Sequence, residues 1–241
     1  MTEPTGDIPE IEHEHPDVTG GWLRPAVFGA MDGLVSNVAL IAGVAGGTKN
    51  AADTTAVVLA GLAGLAAGAF SMAAGEYTSV ASQSEAALKE IAKERAEIQA
   101  NPLAEIRELA EIFEEKGIDA RLAAEVADQV HRDLDNAVAV HAREELGVDA
   151  NSLASPLLAA GSSFVSFAIG AFVPVLPYLL GASTLLISVA LTLVSLFACG
   201  AVVTQVTNRT WWYGGLRQVL LGAAAAGLTY LVGSLVGASG L

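Results

Sequence analysis

Glu94 and Glu97 stand three residues apart in this sequence, as do Glu105 and Glu108, and Glu145 follows His141 by four. On an α-helix, spacings of three and four place side chains on one face, so each set presents its donor atoms together. Glu90 and Glu111 extend the two glutamate runs by a turn. If the chain doubles back at Asn101–Pro102, the two pairs meet. Four or five converging carboxylates repel one another unless cations lie between them, and carboxylate oxygens joined by an imidazole suit Mn²⁺, Fe²⁺ or Ca²⁺. Glutamates at this interval also line ordinary solvated helix faces, and spacing alone leaves both readings open.

A second set lies in apolar surroundings. Asp32 interrupts "AVFGAMDGLVSNVALIAGV", and Glu76 follows Met72 by four residues in "SMAAGEYTSV". A carboxylate in hydrocarbon costs roughly 2.5–3.5 kcal/mol on insertion scales, and no Lys or Arg lies deep in these runs. Such groups take up a proton or bind a metal. A site that holds a cation in one state and a proton in another is the minimal basis for proton-coupled cation exchange. The alternatives are that Asp32 caps a broken helix beside Gly33 and that Glu76 sits in the headgroup zone.

These residues need helices to hold them. The 241 residues are 53% hydrophobic but only 6% aromatic, with 25 glycines, too apolar and small-residue-rich for an ordinary soluble domain. Five runs are long enough to span a bilayer, at about 23–46, 54–80, 155–179, 182–206 and 214–237. Of the 26 acidic residues, six fall in the first 17 positions and 17 between Glu85 and Asp149; none follows Asp149. The expected class is therefore all-α: a polytopic membrane protein with five transmembrane helices and a helical insert. Its parts are an acidic disordered tail (1–21), helices 1–2 (22–84), the insert (85–150) and helices 3–5 (151–241). A net charge of −14 argues against nucleic acid as a partner and for cations.

The N-terminus lacks the basic and apolar regions of a secretory signal. Cys199, the sole cysteine, leaves no intrachain disulfide or cysteine metal site. Arg24, Arg209 and Arg217 against Lys49 place the N-terminus and the insert in the cytosol and the C-terminus outside. Trp22 and Trp211–Tyr213 suit the interface belt. Gly61, Gly64 and Gly68 form a close-approach edge, either within the chain or between subunits. Pro174 and Pro177 are expected to break or bend the third span. Four charged helices make the insert. The first continues from the second span and stops at Asn101–Pro102; the others cover "LAEIRELAEIFEEKG", "DARLAAEVADQVHRD" and "LDNAVAVHAREELG". With few large apolar residues, the insert is expected to lean on itself, a partner or a bound ion.

The blocks "RPAVFGAMDGLVSNVALIAGVAGG", "SMAAGEYTSVASQSE", "NPLAEIRELAEIFEEKG", "REELG" and "GAFVPVLPYLL" together resemble the vacuolar iron transporter family, in order, over about residues 22–237. The resemblance implies five spans, a cytosolic metal-binding domain between the second and third, and a homodimer exporting Fe²⁺, often Mn²⁺, from the cytosol in exchange for protons. Iron and manganese are then cargo, with no resident cofactor. The family's intramembrane aspartate falls on Asp32, its second-span methionine on Met72, and its metal-domain glutamates on Glu94, Glu97, Glu105, Glu108 and Glu145. Where some relatives carry a methionine pair, this chain has His141 and Ala142, a change from sulfur to imidazole. The resemblance implies glycine in relatives at the position of Glu76. The short Ala/Gly-rich spans and the missing organelle signal point to a prokaryotic plasma membrane.

Two other function classes fit parts of the pattern. A membrane-tethered ferroxidase would need Glu-x-x-His on facing helices, and the insert offers only Asp128-x-x-His131. A metal channel or sensor without coupling would use the same ligands. The tail motif "EIEHEH", with His13 and His15, could bind metal loosely or be a plain acidic tail.

Overall fold

The computed structural model describes residues 21–48, 54–149, 152–204 and 209–239. Among them there are eight helices: α1 Leu23–Gly47, α2 Thr54–Ala100, α3 Pro102–Glu115, α4 Ala120–Val130, α5 Leu134–Glu144, α6 Pro156–Leu179, α7 Leu185–Val203 and α8 Trp211–Ser239. Five of these, α1, α2, α6, α7 and α8, are long and apolar enough to cross a membrane. The acidic tail with its two histidines, and the first hairpin loop with Lys49 and Asp53, lie outside the described residues.

α1 is the hub of the membrane bundle, packed against α6, α8, α2 and α7, while α6 also meets α2 and α7. Close approach of α1 and α6 needs glycine. A side chain on Gly33 would strike the backbone at Phe167 and Ala171, and one on Gly170 would strike the Ala30 carbonyl. The edge formed by Gly61, Gly64 and Gly68 faces Ile41, Leu40 and Phe167, so it serves packing within the chain. The outer faces of α7 and α8 leave Leu186, Val194, Leu220 and Leu235 exposed, as helices facing lipid do.

The third span is neither broken nor split. α6 starts at Pro156, where the missing N–H costs nothing, and Ser155 caps it by accepting from Leu158 N at 3.4 Å. It continues through Pro174 and Pro177 to Leu179. Both prolines lie in its last turns, and neighbours engage the carbonyls there. Ser188 Oγ donates to Pro174 O at 2.6 Å, and Asn37 Nδ2 donates to Ala171 O at 2.5 Å and to Gly61 O at 3.1 Å. Gly181 then ends the helix at φ 93°, with Ala182 N bonded to Pro177 O, the Schellman arrangement. α7 is shorter than the expected 182–206. α8 starts earlier than 214, which puts Trp211, Trp212 and Tyr213 in its first turn, all exposed.

α2 is one uninterrupted helix of 47 residues, about 70 Å long at 1.5 Å per residue. A hydrocarbon core is about 30 Å thick, so the C-terminal half of α2 projects well beyond it. The insert hangs on this projection: α5 and α3 pack on α2, and α4 packs on α3 and α5. Its core is small. Leu109, Ala110, Ala123 and Ala127 form one cluster, and Ile98, Ala137 and Val138 form another. Asp119 and Asp133 cap α4 and α5 through their side chains, and ion pairs Arg95–Asp135 and Lys116–Glu144 tie the helices together.

Candidate functional site

The insert brings one glutamate from each of three helices to a histidine. Glu94 comes from α2, Glu105 from the first turn of α3, His141 from α5 and Glu145 from its C-cap. The turn at Asn101–Pro102 reverses the chain so that α3 returns alongside α2. Ligand atoms of Glu94, Glu105 and His141 all lie within 4.8 Å of one another. His141 is fully buried and Glu94 is 7% exposed. His141 Nδ1 lies 2.5 Å from Glu145 Oε1 and 3.0 Å from Glu94 Oε1. That second contact is not an aligned hydrogen bond, so the buried Glu94 oxygen has no donor.

Electrostatics follow from this crowding. Burial, and then repulsion from Glu145, push Glu94 up to about 7, with His141 opposing and Glu105 and Glu97 adding to the rise. Glu105 is also raised, by burial first and then by Glu108. Such a group of oxygens with one imidazole nitrogen is the donor set of a divalent cation of intermediate softness. Glu97 and Glu108 stand at the margin. Glu97 pairs with Lys93 at 3.6 Å, and Glu108 is exposed; both contribute charge to the group rather than a ligand atom within it.

The same geometry adds a residue that spacing did not single out as a ligand partner. His131, at the C-cap of α4, has its Nε2 at 3.2 Å from His141 Nε2. The rings meet edge to face with centroids 5.1 Å apart. Burial pushes His131 below the usual imidazole range.

In the membrane bundle, Asp32 on α1 and Met72 on α2 line one cavity of about 220 Å³, with Ser36, Asn37 and Ser71. Ser36 Oγ donates to the backbone O of Asp32 at 2.5 Å. Among the described residues no basic side chain pairs with Asp32. Asn37 is 2% exposed, and while its Nδ2 bonds two neighbouring helices, its Oδ1 is buried without a donor. The cavity therefore offers a carboxylate, an amide oxygen and a thioether. Glu76, one turn from Met72, does not line it; its Oε2 is likewise buried without a partner.

Comparison with known proteins gives this geometry a lineage. A model of the VIT family matches residues 23–234. A vacuolar iron transporter of Acanthamoeba castellanii is 37% identical over 225 residues, covering 90% of this chain and 79% of the relative. Vacuolar iron transporter 1 of Oryza sativa subsp. japonica is 31% identical over 224 residues, covering 90% and 88%, and that of Arabidopsis thaliana is 29% identical over 220 residues, covering 90% and 87%. With nearly all of its described residues, both candidate sites included, inside the matched region, the chain belongs to the VIT family.

Proposed function

We propose that the chain is a proton-coupled exporter of divalent iron, and of manganese, that collects metal from the cytosol on its insert and passes it through the Asp32 cavity. Members of the family are transporters of metal, not enzymes. The observation that carries the finer reading is the buried, donor-less Glu94 oxygen held beside Glu105 and His141. Four acidic and imidazole groups crowded into one site are stable together when a cation bridges them, and an oxygen-rich set with one nitrogen suits Fe²⁺ and Mn²⁺.

In this reading Glu94, Glu105, His141 and Glu145 bind the ion, and Glu97 and Glu108 attract it. Asp32, Met72 and the Asn37 amide oxygen then receive it within the bilayer, where Asp32 exchanges metal for a proton arriving from the far side. Glu76 belongs to the path only as a group near its cytosolic mouth. The chain works as a homodimer with its N-terminus and insert in the cytosol, in a prokaryotic plasma membrane.

Transport into sealed proteoliposomes is the test. Fe²⁺ and Mn²⁺ should accumulate when a pH gradient is imposed and slow when it is collapsed. Asp32→Ala should abolish uptake while leaving metal binding to the insert intact; normal uptake by this variant would remove the intramembrane step from the scheme. Uptake indifferent to the gradient would favour an uncoupled channel. The ferroxidase alternative loses its motif in the structure, because Asp128 is exposed and paired with Arg132 at 3.2 Å while His131 turns to another histidine.

A further inference from the structure

The contacts of His131 fix where its hydrogen sits. Its Nδ1 lies 2.8 Å from the Ala127 carbonyl oxygen, and a carbonyl can only accept. Nδ1 therefore carries the hydrogen and donates. The backbone N–H of His131 donates to the same oxygen at 3.1 Å, so backbone and ring of this residue are both held on the last turn of α4. A neutral imidazole protonated at Nδ1 has a bare lone pair at Nε2. That lone pair faces His141 Nε2 at 3.2 Å. Two bare lone pairs at this distance would repel, so His141 carries its hydrogen on Nε2 and donates it to His131.

The consequence appears on the other side of the His141 ring. Nδ1 of the same ring lies 2.5 Å from Glu145 Oε1 and 3.0 Å from Glu94 Oε1, with Glu105 completing the group, so a hydrogen on Nδ1 is donated to Glu145 until a metal takes its place. A metal that enters among these carboxylates binds Nδ1 and releases that hydrogen as a proton, and the ring then needs its one remaining hydrogen on Nε2. We propose that His131 is a positioning residue: by accepting from His141 Nε2 it holds His141 in the tautomer that offers Nδ1 to the metal. Without it, nothing accepts from Nε2, and the ring keeps its hydrogen on Nδ1, bonded to Glu145, against an incoming ion. Groups that hold a metal-binding histidine in this way commonly change metal affinity by 10–100-fold when removed.

The role is specific in metal as well as in strength. Ca²⁺ takes oxygen ligands and gains little from an imidazole, whereas Fe²⁺ and Co²⁺ do gain. His131 is thus a determinant of selectivity for imidazole-binding ions at the site. This inference rests on the reading of the insert as a metal-capture site.

The test uses the full chain in detergent, with Co²⁺ and Ca²⁺ as probes and nitrogen NMR of labelled histidines to report the tautomers. In the metal-free protein His141 Nε2 should carry a hydrogen, shared with His131. His131→Phe keeps the ring volume but removes the acceptor; it should bind Co²⁺ at least about 10-fold more weakly, leave Ca²⁺ binding unchanged and show His141 Nε2 without its hydrogen. His131→Gln, which places an amide oxygen near the old Nε2, should restore both Co²⁺ binding and the tautomer. A metal-free wild-type protein with no hydrogen on His141 Nε2 would overturn the proposal, and this reading does not depend on how any variant folds. If Glu94→Gln lowers Co²⁺ binding but His131→Phe binds like wild type, the capture site stands and the role of His131 falls. If Glu94→Gln leaves Co²⁺ binding untouched, the capture reading falls and takes this proposal with it.

Discussion

Glu94 holds its proton up to about pH 7 because burial and neighbouring carboxylates oppose its ionisation. Its ordinary value is 4.5, so between these two values the folded metal-free chain binds more protons than the unfolded one. Stability then falls as pH rises through this window and is fully diminished above about 7. Thermal melts of the metal-free protein from pH 5 to pH 8 should show a declining midpoint, and Glu94→Gln should flatten the decline while lowering metal affinity. A melt of wild type that is level across the window would show that Glu94 ionises freely. Metal competes with the same proton, so affinity should climb with pH over the same range. Spacing made Glu94, Glu105, Glu145 and His141 legible, since three- and four-residue intervals on helices announce shared faces. It could not separate Glu94 from Glu97, because both lie on the same stretch of α2 and only the neighbours differ: His141 against one, Lys93 against the other. His131 was visible only as part of an Asp-x-x-His interval. Its contact with a residue ten positions on depends on the turn between α4 and α5, and no helical period encodes that.

At the scale of elements, α2 joins the two sites, and Asn37 ties together the helices around the membrane one. The unbroken course of α2 to Ala100 was legible from continuous helix-forming residues ended by Asn101–Pro102. The prolines do not interrupt α6, because their effect depends on where the helix ends and on which neighbours accept or donate nearby. In this fold they fall in the last turns, with Ser188 and Asn37 at hand. The role of Asn37 was hidden for a related reason: one amide in an apolar run gives no periodic signal. Its Nδ2 bonds α1 to α2 and α6 one turn beyond Asp32. Polar bonds between membrane helices average roughly 0.6 kcal/mol and reach about 1.7, so two of them give about 1–3 kcal/mol. Asn37→Leu should lower the thermal midpoint of the detergent-solubilised protein accordingly and slow transport, while metal binding by the insert is unchanged. Loss of insert binding in this variant would mean that the bundle and the insert are not separable in this way. A second substitution probes α2 itself. Ala86→Pro, at an exposed position between the bundle and the insert, costs about 3 kcal/mol in a helix interior and should uncouple capture from transport, leaving Co²⁺ binding near wild type and uptake reduced at least several-fold.

For the whole molecule, five crossing helices and an insert between the second and third set a strict geometric rule. An odd number of crossings leaves the two ends of the chain on opposite faces, and an insert after the second crossing shares the face of the N-terminus. The direction comes from charge: Arg24, Arg209 and Arg217 fall on the side of the insert, which is the cytosolic side if basic residues are retained there. Under the proposed function the same arrangement gives the acidic insert its use, since 17 carboxylates on the metal-supplying face would draw cations toward the helix bundle. Single cysteines test the rule directly. With Cys199→Ala as background, Lys116→Cys lies on the exposed end of α3 and Ser239→Cys at the exposed end of α8. In intact cells a membrane-impermeant maleimide should label Ser239→Cys and spare Lys116→Cys until the membrane is opened. Labelling of both from outside would mean an even number of crossings, and the reverse pattern would put the insert on the far face, where it could not collect metal for export.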